Sequence, residues 1–233
     1  MNLNHEDEDK MRMRKKRNLE TRLSGCEKNL ISLRSDDLNS VTAIEKKEYF
    51  DFGNLFGNSN PVELEIGCGK GGFVCEMAKL NPDTNYIAVE KTGNVIVSGC
   101  ERALKENLTN IIFVKGGAEY LPKYLPENSI DNIYLNFSCP YPKKRYENHR
   151  LTNGRFLELY KMFLKKDGRI FQKTDNMHFF EYSISEFSKN GFALENVSLD
   201  LHNSGFEGNV MTEYEKRFSD LGQPIYRLEA FLK

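Results

Sequence analysis

The chain has 233 residues, 33 Lys and Arg against 34 Asp and Glu, and a formal net charge of −1, which is enough for one large domain with a buried core and gives no charge-driven class of partner. No apolar run approaches the ~20 residues that span a bilayer, and the opening Met1–Asp9 is acidic and polar, unlike a signal peptide. The five cysteines (Cys26, Cys68, Cys75, Cys100, Cys139) form no C-x-x-C pair, so the expectation is a cytoplasmic protein with reduced thiols and no metal site.

Residues 1–40 are polar and lack an apolar period. They read as an acidic start, the basic arm Lys10–Arg17 and a short amphipathic stretch near Leu30–Leu33, with disorder expected over the first ten. Organised sequence is expected from near Ile44, in a domain running from 41 to 233. Val62–Ile66 reads as a strand, and Phe73–Leu80 as a helix that stops before Asn81-Pro82. Asn85–Glu90 is a second strand, Asn94–Asn107 a helix and Ile111–Val114 a third strand. Ile130–Phe137 is a fourth, with the continuous apolar character of a buried parallel strand. Phe156–Lys165 is an amphipathic helix, Gly168–Lys173 a fifth strand, and Met177–Asn190 a helix closed by Gly191. Phe192–Leu201 and Ile225–Leu232 complete seven strands, with a helix over Thr212–Phe218 between them. Such alternation predicts an α/β, Rossmann-like fold: one doubly wound, mostly parallel seven-stranded sheet with helices on both faces, its last two strands antiparallel at the edge.

The turn Glu65-Ile66-Gly67-Cys68-Gly69-Lys70-Gly71-Gly72 follows a strand and opens a helix. Glycines there let the backbone bend sharply and approach a ligand. Gly67, Gly69 and Gly72 also satisfy the dinucleotide spacing, with Glu90 about 20 residues on, so a nicotinamide-dependent oxidoreductase is one reading. The acids favour another. Glu65 precedes the first glycine, Glu90 ends the second strand and Glu119 follows the third. One acid beyond each of three strands suits a ligand bearing an ammonium, a sulfonium and a ribose, as S-adenosylmethionine does, better than a pyrophosphate. Taken one at a time, each acid also reads as a solvated loop residue.

After the fourth strand runs Asn136-Phe137-Ser138-Cys139-Pro140-Tyr141-Pro142-Lys143-Lys144-Arg145-Tyr146-Glu147-Asn148-His149-Arg150. Prolines stiffen it, and interleaved cations and aromatics offer phosphate pairing with a stacking surface, the combination that suits splayed RNA. A solvated basic loop is the bland alternative. His149, His178 and His202 have no metal-ligand spacing.

With the start Met11–Lys16, this loop and the segments Lys173-Thr174-Asp175-Asn176 and Asn209–Phe218, the sequence from Met11 onward resembles the bacterial tRNA (guanine-N7-)-methyltransferases. The resemblance implies a class I methyltransferase fold and methyl transfer from S-adenosylmethionine to N7 of a guanine, position 46 in the tRNA variable loop, by a monomer or homodimer. It implies cofactor contacts at Glu65, Gly67, Gly69, Gly71, Glu90 and Glu119, and substrate contacts at Lys143, Asp175, Thr212, Glu213, Tyr214 and Glu215. RNA contacts fall at Lys144, Arg145 and Arg150, and on the arm at Arg14, Lys15 and Lys16. Residues 1–10 extend beyond the family's usual start, as a tail or a misplaced start. Asp175 is also read as the N-cap of the next helix.

One departure stands out. The family loop reads Asp-Pro-Trp-Pro, its aspartate regarded as catalytic; here it is Cys139-Pro140-Tyr141-Pro142. Guanine N7 is already an in-plane acceptor with no proton to lose, so transfer without the carboxylate is the expected reading. Asp175, Glu213 and Glu215 are left to meet the guanine edge. Two alternatives are Cys139 acting as a nucleophile on a pyrimidine, its thiolate favoured by Lys143, and a tRNA-binding homologue without activity.

Overall fold

The computed structural model describes residues 15–33 and 40–233, apart from the side chains of Ser40, Val41 and Glu213. The acidic start and Arg14 lie outside the described residues.

Strand side chains alternate between two faces, and here both faces are apolar. In Asn85–Glu90, Tyr86 and Ala88 join one core cluster while Ile87 and Val89 join the other; Ile111 and Phe113 part from Ile112 and Val114 in the same way. Each face therefore needs helices over it, which is the doubly wound arrangement. The strands are β1 Leu30–Ser32, β2 Val62–Ile66, β3 Asn85–Glu90, β4 Ile111–Lys115, β5 Ile130–Asn136, β6 Leu164–Thr174, β7 Phe192–Ser198 and β8 Tyr226–Leu232, in the order β1-β4-β3-β2-β5-β6-β8-β7. Pairings from β1 through β6 are parallel, and β8 lies antiparallel between β6 and β7. The helices are α1 Leu19–Ser24, α2 Ser40–Ala43, α3 Phe52–Phe56, α4 Gly72–Leu80, α5 Gly93–Lys105, α6 Leu121–Tyr124, α7 Gly154–Phe163, α8 Met177–Lys189 and α9 Glu213–Ser219.

The sheet has eight strands rather than seven. The extra one, β1, comes from the stretch read as arm, and its Leu30 and Ile31 pair with Phe113 and Val114 of β4. A three-residue strand has no readable period, and what forms it is the open edge of β4. With α1, it moves the start of ordered sequence well ahead of Ile44. Phe163 of α7 leads straight into Leu164 of β6, so the helix does not reach Lys165. β5 stops at Asn136 because Phe137 turns into the left-handed region (φ 50°).

β2 is the hinge of the topology: the chain runs from it outward to β3 and β4, then returns to its other side at β5. The crevice beyond the carboxyl ends of β2 and β5 is where such sheets take ligands. Close packing under that crevice depends on glycine. A Cβ on Gly71 would stand 2.9 Å from Gly99 Cα and 3.1 Å from the Phe113 ring, so any larger residue would push α4 off α5. Among the described residues, no helix is long and apolar enough to cross a membrane, and no group of three or more His, Cys, Asp or Glu is placed to hold a metal ion.

Candidate active site

Gly67, Gly69 and Gly71 all take positive φ (82°, 57° and 74°), a region where a side chain is strained. The amides of Gly67 and Cys68 both donate to the Val89 carbonyl, at 2.8 and 3.0 Å, which pins the turn to β3. Just before it, Glu65 is 3% exposed. Asn136, at the end of β5, donates to Glu65 Oε1 at 3.0 Å, while Oε2 is buried without a hydrogen-bond partner. Burial pushes this carboxyl up to about 7, against the Asn136 bond, the positive charge of Lys173 and the nearby Val74 amide. An unpaired buried carboxylate oxygen costs about 1–3 kcal/mol or more, and Glu65 borders a cavity of 380 Å³ with Gly67, Gly69, Phe73 and Asn136. A cationic group in that cavity would suit the Glu65 carboxylate.

Gly67 and Phe137 also border a second cavity, of 430 Å³, lined by Glu90, Glu119, Ser138, Cys139, Tyr141 and His149. Glu90 Oε1 accepts from the Thr92 amide at 2.8 Å, and Glu119 sits on the 3-10 turn Ala118–Tyr120. The three acids thus face one bipartite space, Glu65 in one chamber and the other two in its neighbour. Cys139 is exposed at the second chamber.

Two non-glycine residues of the loop, Phe137 and Tyr141 (φ 50° and 41°), are left-handed, a conformation costing about 1–2 kcal/mol each. Arg150 holds this shape. Its Nε donates to the Pro140 carbonyl at 2.9 Å and its Nη2 to the Tyr141 carbonyl at 3.1 Å, with the guanidinium 4.2 Å from the Tyr182 ring. The side chain expected to meet RNA is occupied within the chain. Lys143, Lys144 and Arg145 are exposed, with Arg145 over the Tyr146 ring. On the arm, Lys15 pairs with exposed Glu20 and Lys16 donates to Ser98 Oγ at 2.6 Å.

The acceptor side is closed by α9. Thr212 and Glu215 form its capping box. Glu215 is wholly buried: Oε2 accepts from Lys173 at 2.7 Å and Oε1 from Asn209 at 2.6 Å. Burial lowers Lys173, opposed by the Glu215 charge beside it. The Glu215 carboxylate is therefore spent inside the fold rather than turned to a guanine edge. Its capping box presents Tyr214, whose ring packs against Phe137 at 5.1 Å on the cavity lining. Burial, with Asp175 nearby, raises the Tyr214 hydroxyl. Asp175 follows β6, and the cap of α8 is Asn176, which accepts from the Phe179 amide at 2.8 Å; the N-cap reading of Asp175 is wrong by one residue. For Glu213, only the backbone is described. Asn136, Phe137 and Lys173 were not singled out by sequence reasoning; Asn136 alone carried a signal, as the polar end of an apolar strand.

Residues 59–228 match a family whose description reads "Putative methyltransferase". The chain is 53% identical over 175 residues to a tRNA (guanine-N(7)-)-methyltransferase of Geobacillus sp. (strain WCH70), covering 75% of this chain and 80% of that one. A protein of the same name from Listeria welshimeri is 48% identical over 199 residues, 84% of this chain and 93% of the relative. Among solved structures, the 16S rRNA methyltransferase KamB matches with a TM-score of 0.59 at 15% identity, over 80% of this chain and 95% of that one. An antibiotic-related methyltransferase matches with 0.54 at 20%, over 84% and 94%. Those two likenesses establish the class I methyltransferase fold. Sequence identity near one half over three quarters of the chain goes further: the chain belongs to the tRNA (guanine-N(7)-)-methyltransferase family.

Proposed function

We propose that this chain transfers the methyl group of S-adenosylmethionine to N7 of a guanine in tRNA, a guanosine of the variable loop. The carrying observation is the buried, unpartnered Oε2 of Glu65 on the wall of the first chamber. An ammonium is the partner that oxygen lacks. Glu90 and Glu119 in the adjoining chamber suit ribose hydroxyls and an adenine amino group. Two chambers joined at Gly67 and Phe137 fit an elongated ligand with a polar group at each end.

When bound, the donor supplies a methyl already activated on a sulfonium. The protein's share is then orientation, which supplies several kcal/mol. Glu65, held by Asn136, fixes one end of the donor and Glu90 the other. Phe137 and Tyr214 offer ring faces on the first chamber, and Asp175, close enough for its charge to act on Tyr214, is suited to the N1–H and N2–H donors of guanine. With Glu215 occupied by Lys173, that recognition rests on Asp175 together with Thr212. N7 needs no base, so Cys139 in place of an aspartate does not stop the reaction. Positive charge developing on the purine is stabilised by the acids around the site. Lys143, Lys144, Arg145 and the arm residues Lys15 and Lys16 meet phosphates.

The test is transfer of labelled methyl to unmodified tRNA, with the label mapped by the strand scission that N7-methylguanine permits. Label on a variable-loop guanine is expected. Label on a pyrimidine, or tight tRNA binding with no transfer, would overturn the proposal.

A further inference from the structure

Two cations on the lining of the first chamber have no role so far. Lys70 stands exposed on the glycine turn, and Arg217 is exposed on α9. Several partly buried cations are instead paired within the chain: Arg22 with Glu101 at 2.6 Å, Arg169 with Glu195 at 2.8 Å, Lys173 with Glu215 at 2.7 Å. Among the described residues, Lys70 and Arg217 form no ion pair, and the Arg217 guanidinium lies only against the Phe218 ring, 6.0 Å from its centre. Two exposed cations lining one cavity without a counter-charge are open to an anionic ligand.

Their placement says which ligand. Arg217 is three residues after Tyr214, so both project from one face of α9. Both side chains line the first chamber. On the opposite wall, Lys70 neighbours Lys16, which Asn94 and Ser98 hold against the start of α5 (2.9 and 2.6 Å). Like charge from Lys70 and Arg22 adds to burial in lowering Lys16, so the fold keeps these cations together against their mutual repulsion. A base drawn out of an RNA stack into the chamber leaves its ribose-phosphate at the mouth, between these two walls.

We propose that Lys70 and Arg217 clamp the phosphates on either side of the target guanosine, and that Lys16 extends the same track toward the arm. The inference rests on the tRNA reading above and adds the place where the backbone crosses the site. Arg217 supplies a planar fork matched to two phosphate oxygens, and Lys70 a point charge. The chemistry recognised is an anionic oxygen group, and the donor's own carboxylate is the other source of one.

The experiment separates these sources. Arg217→Gln, Lys70→Gln and, as control at the opposite end of the sheet, Lys166→Gln are compared for tRNA KM, kcat and the binding of S-adenosylhomocysteine without RNA. The clamp predicts a rise of about 5- to 20-fold in tRNA KM for each of the first two. The salt slope of tRNA affinity should fall by about 0.7–0.9 per lost contact, with S-adenosylhomocysteine affinity within twofold of wild type. A tRNA with a neutral methylphosphonate linkage beside the target guanosine should weaken wild type by a similar factor and Arg217→Gln no further. Weaker S-adenosylhomocysteine binding with unchanged tRNA KM would assign the pair to the donor and overturn the clamp, as would no change in either. If wild type methylated no tRNA at all, the underlying reading would fall first, and that result is visible before any variant is made.

Discussion

The donor end and the acceptor end of this site are built on different plans. The donor end is one strand-turn-helix unit, Glu65 through Phe73, pinned by two amide bonds to Val89. Glu65 Oε2, which the proposed function turns to the donor, has no hydrogen-bond partner. The acceptor end is assembled from chain segments far apart in sequence and is saturated: Arg150 braces Pro140 and Tyr141, and Lys173 on β6 holds Glu215 across 42 residues. The donor side carries its strain as an open valence that a ligand closes. On the acceptor side, strained backbone at Phe137 and Tyr141 is held by internal contacts. Glu65 is therefore read as a ligand contact, whereas Arg150 and Glu215 are braces.

The largest effect expected from that contrast is on stability, at the acceptor end. Glu215→Ala leaves Lys173 buried without its counter-charge, a loss of about 3–5 kcal/mol, or roughly 6–20 °C in Tm for a chain of this size. Lys173→Met combined with Glu215→Leu should lose less than Glu215→Ala alone, because no charge is then stranded. Thermal unfolding decides it; additive losses would show that Glu215 is not a brace.

At the donor end, the matching substitution should stabilise. An acid raised from 4.5 to about 7 in the fold holds its proton more tightly folded than unfolded. Its favourable contribution is fully present below pH 4.5 and is lost as pH rises to 7, a change of about 3 kcal/mol. Glu65→Gln removes that loss, so above pH 7 it should be more stable than wild type, and the difference should vanish below pH 4.5. Donor binding requires the ionised carboxylate, so wild-type affinity for S-adenosylhomocysteine should rise between pH 6 and 8, while Glu65→Gln binds about 10- to 100-fold more weakly throughout. A destabilised Glu65→Gln with intact donor affinity would erase the contrast between the two ends.

The same contrast explains what could be read in advance. Glu65, Gly67, Gly69 and Glu90 lie within one βαβ span, where local spacing and placement in space coincide. Seven of the strands announced themselves as apolar-rich stretches of four or more residues between turn signals. β1 did not, because its three residues are extended by the edge of β4 rather than by any pattern of their own. Arg150 and Glu215 were legible as important, but their role was not. Whether a cation or a carboxylate in a functional segment faces outward depends on partners such as the Tyr141 carbonyl and Lys173, which no spacing rule names.

Arg150 and Arg145 offer a finer cut between brace and contact. Arg150→Ala should let the Pro140–Tyr141 turn relax and lower kcat about 10- to 50-fold, with tRNA KM within about threefold, since orientation is lost and phosphate contact is not. Arg145→Ala should do the reverse: a several-fold rise in tRNA KM, a salt slope smaller by about one contact, and kcat nearly unchanged. Steady-state kinetics over a salt series would distinguish them. If both variants shifted KM alone, Arg150 would be an RNA contact after all and the brace would be incidental.

The smallest effect is expected at Cys139. A positioned general base or acid contributes about 10²–10⁴-fold where a proton must move. N7 carries none, and Cys139 stands at the chamber of Glu90 and Glu119 rather than beside Glu65. Its replacement should therefore be felt only through packing and local charge. Cys139→Ser is expected to leave kcat within about threefold, and Cys139→Asp to change it by less than about tenfold in either direction, both read from initial rates of methyl transfer. A thousandfold loss in Cys139→Ser would require a sulfur-centred step. In that case the thiolate would be attacking a ring carbon, the product would be a methylated pyrimidine, and the acceptor end would hold a reactive group where we find an orienting wall.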